Sequence, residues 1–205
     1  MGASDDLVVT KQINTSLNTD CATEVALILG CGPTVYRDYN KFITEYNGVP
    51  YTVWAVNDIA AYFTKRIDHF VCIDKELIAP IKELRRQRHG NSDYKTHSLD
   101  GSDVDVTWNY NIRVARNSGL LAALAALHSG HKRVVLCGIP MDATGHFYEL
   151  GARTKTDIYD TLINKSPWVS PLDKFKSRIR SYSGFTRKRW GEPTHAWVHG
   201  VDNVA

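Results

Sequence analysis

Residues Asn117 to His146 read Asn-Ser-Gly-Leu-Leu-Ala-Ala-Leu-Ala-Ala-Leu-His-Ser-Gly-His-Lys-Arg-Val-Val-Leu-Cys-Gly-Ile-Pro-Met-Asp-Ala-Thr-Gly-His. The run joins a polar cap, an apolar helix, a short strand and a glycine-containing exit. Asn117 or Ser118 can cap a helix built from strong helix formers, and Gly130 stands where a left-handed C-terminal cap is wanted. Nearly every residue inside that helix is apolar, so it must pack beneath other elements. Val134 to Cys137 then predicts a buried central strand, because a β-branched run straight after a helix is how a parallel strand looks in sequence. Helix starts and strand ends are the places where α/β proteins put ligands.

Upstream, Val25-Ala-Leu-Ile-Leu29 predicts a second buried strand. It is followed by Gly30-Cys-Gly-Pro-Thr34 and a helix whose Val35, Tyr39, Phe42 and Tyr46 share one face. A strand, a glycine turn and a helix N-terminus in that order can hold a phosphate on backbone N–H groups. Tyr51 to Val56 predicts another strand, ending at Asn57-Asp58, with Asp58 capping a short helix from Ile59 to Lys65. His69 to Ile73 predicts a strand that ends at Asp74, and Leu77, Ile81 and Leu84 mark the helix after it. Strands alternating with helices at this spacing specify an α/β fold, a Rossmann-like, mostly parallel sheet with helices on both faces in a single domain. Right-handed crossovers bring the strand C-termini to one edge. Gly30 to Thr34, Asn57-Asp58, Asp74, Gly138 to Asp142 and the helix start at Asn117-Ser118-Gly119 are expected there together.

The flanks carry less pattern. Residues 1–23 are polar and aperiodic and read as a flexible arm, residues 24–190 as the α/β domain and residues 191–205 as a C-terminal tail. Between Gly90 and Thr107 repeated Gly, Ser, Asp and Asn leave at most a short strand at Val104 to Trp108. Ala143 to Val169 is irregular, as a lid, a binding loop or a disordered segment would be. Ser170-Pro-Leu-Asp173 predicts a helix start, with Leu172, Phe175, Ile179 and Tyr182 on its apolar face and Gly184 as its end.

The chain has 205 residues, 43% hydrophobic and 23% charged, enough for one large core. No apolar run reaches the roughly 20 residues of a membrane helix, and no basic-then-apolar leader opens the chain, so a cytoplasmic protein is expected. Cys21, Cys31, Cys72 and Cys137 are far apart and read as reduced core thiols rather than zinc ligands. Asp103-Val-Asp105 has the spacing of a metal-binding pair but lies in the weakly patterned region, away from a strand end, and no metal is expected. The formal charge is only +3, yet Lys165, Lys174, Lys176, Arg178, Arg180, Arg187, Lys188 and Arg189 face a single nearby acid, Asp173. That local basic face is open to three readings: solvated charge, a clamp on a donor pyrophosphate, or, with Tyr182, Phe185 and Trp190 interleaved, a track for nucleic acid.

The Gly30-Cys-Gly-Pro-Thr34 turn, Val56-Asn-Asp58, and Asn117-Ser-Gly119 leading through His128-Ser-Gly-His-Lys-Arg-Val-Val-Leu-Cys-Gly-Ile139 resemble, in order and spacing, the sialyltransferase-like α/β proteins. Bacterial sialyltransferases and the motility-accessory and pterin pyrophosphokinase-like proteins share this pattern, and the resemblance covers Val25 to about His146. It implies a nucleotide-sugar-dependent glycosyltransferase that needs no cofactor beyond its nucleotide-sugar co-substrate. It further implies that Gly30, Gly32 and Thr34 line the nucleotide, that Asn57 reaches a phosphate or ribose, and that Ser118 and Gly119 contact nucleotide or substrate. Asp58 and Gly138 join the same nucleotide-binding set. At Gly138-Ile-Pro140 the chain departs from the family's Gly-Ile-Asp, and its nearest carboxylate is Asp142. The family's phosphate-supporting tyrosine has Tyr148 or Tyr182 as its candidates. The segments around Met141 and Tyr182 also resemble phage-encoded proteins, which implies a host-cytoplasmic setting and viral DNA or a surface glycan as acceptor.

Sugar transfer to a hydroxyl needs a base for the acceptor proton and a cation or donor for the departing phosphate. An imidazole suits the first role, so His146 is the candidate base, with Asp142 and Glu149 as competitors. Arg178, Arg187 and Tyr148 are the candidates for the second. Two other activities fit the same residues: phosphoryl or pyrophosphoryl transfer to a small molecule, and a non-catalytic module that binds nucleotide or nucleic acid. DNA as acceptor would use the basic C-terminal face, and the chain could also act as a homo-oligomer.

Overall fold

The computed structural model describes residues 10–13, 23–90, 93–101, 103–110, 117–142, 145–148 and 170–201. Its centre is β2 (Val25–Leu29), which is buried along its whole length. On one side β2 pairs in parallel with β3 (Tyr51–Val56), followed outward by β4 (His69–Val71), β5 (Lys95–Ser98) and β6 (Val106–Asn109). On the other side it pairs with β7 (Arg133–Cys137) and then β8 (Ile179–Ser181), also in parallel. The sheet closes at its far edge with β1 (Thr10–Ile13), antiparallel to β6, so the order is β1-β6-β5-β4-β3-β2-β7-β8. The chain therefore leaves β2 in one direction and returns to its other side at β7. That reversal is the topological switch point of a Rossmann-like fold, and the crevice beyond the strand ends there is the usual ligand position.

Alternation along β2 sends its side chains to two cores. Val25, Leu27 and Leu29 meet α1 (Val35–Glu45), α2 (Ile59–Tyr62) and α3 (Lys75–His89) on one face, while Ala26 and Ile28 meet α4 (Ser118–His128) on the other. Every residue of α4 from Ser118 to Leu127 is buried, as its composition requires. Asn117 is the cap: its Oδ1 accepts from the N–H groups of Gly119 and Leu120 at 2.8 and 3.3 Å.

The structure departs from the sequence reading at the flanks. Residues 10–13 of the expected arm form β1, because the polar stretch supplies four residues that complete the β6 edge. Lys95–Ser98, read as loop, is a strand whose Thr96, His97 and Ser98 are buried. The long helix expected from Ser170 is α5 (Ser170–Asp173) and a single 3-10 turn (Lys176–Arg178). Ile179 and Ser181 then alternate inward as β8, a period of two that the helical spacing of Leu172, Phe175, Ile179 and Tyr182 hides. Gly184 opens α6 (Gly184–Trp190) rather than ending a helix. The tail is part of the core: α7 (His195–His199) buries Trp197 and Val198, and the Trp197 indole N–H donates to the Ser177 carbonyl at 2.7 Å. Cys31, Cys72 and Cys137 are free thiols, while Cys21 lies outside the described residues. Among the described residues, no helix is long and apolar enough to cross a membrane.

Candidate functional site

The exits of β2 and β7 are joined through their backbones. Gly30 N–H donates to the Cys137 carbonyl at 2.9 Å and Gly32 N–H to the Gly138 carbonyl at 2.8 Å. A Cβ on Gly30 would stand 2.6 Å from the Gly138 carbonyl oxygen, and one on Gly32 would stand 2.6 Å from Pro140 Cδ. Gly138 has φ +63°, and a Cβ there would meet Val35 at the start of α1. These three glycines are thus required by the close approach of two chain segments, and all three of their N–H groups are already used.

A buried carboxylate locks the same junction. Asp38, in the first turn of α1 and 1% exposed, accepts from Gly138 N–H at 3.0 Å and from the Thr34 hydroxyl at 2.7 Å on Oδ2. Its Oδ1 takes the Arg37 guanidinium at 3.1 Å. Thr34, expected to face the nucleotide, therefore turns its hydroxyl proton toward its own helix. Asp38 was not among the expected site residues; its signal was an acid in the first turn of a helix that starts at a glycine loop. Arg37, 69% exposed on its side chain, places a guanidinium at this end of the sheet.

At the neighbouring exit of β3 the construction is different. Asn57 adopts a left-handed conformation, φ 55°, and its Oδ1 is buried with no hydrogen-bond partner among the described residues. Asp58 does not cap α2 with its side chain; its Oδ2 accepts from the Tyr148 hydroxyl at 2.9 Å. Phe147 N–H donates to the Cys31 carbonyl at 2.7 Å, which pins residues 145–148 over the β2 exit. The Tyr148 ring stacks on Tyr62 and on the His146 imidazole, with centroids 6.2 and 5.3 Å apart, and Arg88 lies over Tyr62 at 4.1 Å. The Cys31 thiol donates to the Val56 carbonyl and is pushed up to about 12 by burial, which makes it an inert packing group.

The β7 exit supplies the opposite wall. Met141 also has a positive φ, 53°, so non-glycine left-handed residues occur at the ends of both β3 and β7. The Pro140 carbonyl accepts from Phe185 N–H at 2.8 Å, and the Ile139 carbonyl accepts from the Thr186 hydroxyl at 2.7 Å. The Asp142 carboxylate lies against Gly184, so Asp142 stands toward β8 while His146 stands toward β3. Ser118 lies at the β4 exit, where its Oγ accepts from Ile73 N–H at 3.1 Å, and Gly119 packs against Ile139. Asn117 occupies the first N–H groups of α4, so they are not open to a phosphate.

The expected phosphate clamp is divided. Arg178 donates to the carbonyls of His131 and Lys132, just before β7 begins, and so lies at the opposite edge of the sheet from the strand exits. Arg187 pairs with Glu192 at 2.9 Å, and Arg189 pairs with Asp173. Tyr182 is buried in the core, with Lys41 of α1 over its ring at 5.0 Å, while Tyr148 is at the exit edge. Asp105 is a turn brace, accepting from Thr96 N–H and Oγ1 at 2.7 Å each. Among the described residues no group of three or more His, Cys, Asp or Glu could hold a metal ion. Glu149 lies outside the described residues.

The fold and its switch point define an α/β protein of Rossmann-like architecture. Comparison with protein-family models, with curated proteins and with solved structures returns no match.

Proposed function

We propose that the chain is a glycosyltransferase that takes a nucleotide sugar along the exit edge, with the nucleotide at the β3 exit and the sugar toward β7. The observation that carries this reading is Asn57. A strained, non-glycine backbone holding an unpartnered buried amide oxygen is costly, and such groups persist where a ligand completes them. Asp58 beside it presents Oδ1 toward a hydroxyl-bearing ligand such as ribose, its Oδ2 being held by Tyr148. In transfer, the acceptor hydroxyl gives its proton to a base as its oxygen bonds the anomeric carbon, and the bond from that carbon to the donor phosphate breaks with its electron pair leaving on the nucleotide. His146, whose ring is aligned by Tyr148, is the proposed base, and Asp142 faces the same edge from the β8 side. Arg37 replaces Arg178 and Arg187 as the guanidinium for the leaving phosphate, since it belongs to the first turn of α1.

The test is a panel of nucleotide sugars, read both by thermal shift and by release of free nucleotide. One donor is expected to stabilise the protein and to be turned over slowly to nucleotide and sugar. His146→Ala is expected to abolish turnover while leaving the shift. No response to any donor would overturn the reading.

A further inference from the structure

The outer face of α7 carries two histidines one turn apart, His195 and His199, that the proposed transfer does not use. Both are exposed, and their rings stack with centroids 4.5 Å apart and planes at 25°. Histidines elsewhere are tied down: His69, His89, His97, His128 and His131 each use a ring nitrogen on a neighbour. By contrast, no ring nitrogen of His195 or His199 has a hydrogen-bond partner among the described residues.

The turn that carries them is held at both ends. Thr194 Oγ1 accepts from Trp197 N–H at 3.2 Å at the start, and at the other end Gly200, left-handed with φ 75°, lets Val201 N–H reach back to the Ala196 carbonyl at 2.9 Å. Trp197 and Val198 anchor it in the core, and the Tyr46 hydroxyl fixes the preceding loop by donating to the Pro193 carbonyl at 2.8 Å. The backbone of residues 195 and 199 is therefore set, and only side-chain torsions remain to be adjusted.

Two imidazoles at i and i+4 on one helix face are a chelating pair for a first-row divalent ion. With each nitrogen about 2.1 Å from the ion, and each ring centre roughly 3.2 Å from it, two rings in neighbouring coordination positions have centres about 4.5 to 5.2 Å apart. The observed 4.5 Å meets that spacing. Stacked planes do not converge on one point, so each ring must turn about χ2, a soft torsion for histidine. That rotation breaks no hydrogen bond made to the described residues. Charged groups bordering the turn are already paired: Arg133, beside Gly200, with Glu24, and Glu192 with Lys41 and Arg187.

We infer that His195 and His199 form a binding site for a divalent transition ion of the zinc, nickel and copper class, with water in its remaining positions. Imidazole favours these ions, whereas Mg²⁺ and Ca²⁺ prefer oxygen ligands. Two protein ligands leave the site open and the ion exchangeable. Gly200 packs against Arg133, the first residue of β7, so the site lies at the opposite edge of the sheet from the strand exits and does not depend on the proposed transfer. An ion there joins the two ends of α7 and favours the folded turn by mass action.

The test is a calorimetric titration of the full chain, free of any affinity tag, with Zn²⁺, Ni²⁺ or Mg²⁺ alone, at about pH 7.5, where an ordinary imidazole is mostly neutral. Zn²⁺ and Ni²⁺ are each expected to bind at one ion per chain with a Kd below about 0.1 mM, and Mg²⁺ to give no saturable heat. His195→Ala and His199→Ala each remove one ligand from an exposed position, so the fold is kept and affinity is expected to fall at least about tenfold in either. Saturation only above about 0.1 mM, one ion per two chains, or an affinity that either variant leaves unchanged would sink the inference. Imidazole ¹⁵N spectra locate the ion independently. Substoichiometric Ni²⁺ is expected to broaden His195 and His199 first, and earlier broadening at His146 or His89 contradicts the site.

Discussion

At the ends of β2 and β7, Gly30, Gly32 and Gly138 let two chain segments touch through their backbones, and the buried Asp38 carboxylate ties both to α1. At the end of β3, one strand along the same edge, Asn57 is held left-handed with a buried oxygen that has no partner among the described residues, beside Asp58 and Tyr148. The first junction has its polar groups paired; the second leaves one buried oxygen, Asn57 Oδ1, without a partner among the described residues. A glycine turn after a first strand therefore carries two separate meanings, tight packing and phosphate binding, and here packing accounts for the glycines while the unsatisfied polar group lies at the next strand. Changes at the first junction should cost stability, and changes at the second should cost binding.

The largest expected effect is Gly138→Ala. Its positive φ and the contact with Val35 together predict a loss of about 4 kcal/mol, read as a lower urea midpoint with an unchanged slope. Asp38→Ala comes next, at about 3 kcal/mol, because Gly138 N–H loses its buried acceptor and the Thr34 hydroxyl its partner. Asn57→Gly should act in the opposite sense on the two quantities. Relief of the left-handed strain stabilises the fold by about 1 kcal/mol, while nucleotide affinity falls about tenfold, the equivalent of about 1.4 kcal/mol. If Asn57→Gly instead destabilises and leaves binding unchanged, the two junctions do not differ in the way described. The smallest effect is Arg187→Ala: its ion pair with Glu192 is exposed, so a change within about 0.5 kcal/mol and no change in nucleotide affinity are expected in a calorimetric titration.

The central elements were legible because their signals are local. Val25–Leu29, Tyr51–Val56, the helix from Ser118 and the strand ending at Cys137 coincide with the runs that predict them, with Asn57 following the second strand and Gly138 the last. The edges were not legible, for a physical reason. Edge strands such as Thr10–Ile13 and Ile179–Ser181 are three or four residues long, and their existence depends on a distant partner, β6 or β7, rather than on their own pattern. The same holds for the site. Position in sequence placed His146, Asp142 and Asn57 at one edge, but it could not show that Arg178 caps carbonyls at the other, nor that Asp38 closes the glycine turn. Both facts depend on contacts made across the fold, which no spacing along the chain records.

The most direct test of the exit-edge site is to titrate ¹⁵N-labelled protein with ribonucleotides and their sugar conjugates and follow the amide shifts. The account predicts saturable changes at Asn57, Asp58 and Gly138 to Asp142, with Lys132 and Arg178 unmoved. Shifts confined to the edge around Lys132 and Arg178, or no shift with any nucleotide, would contradict it.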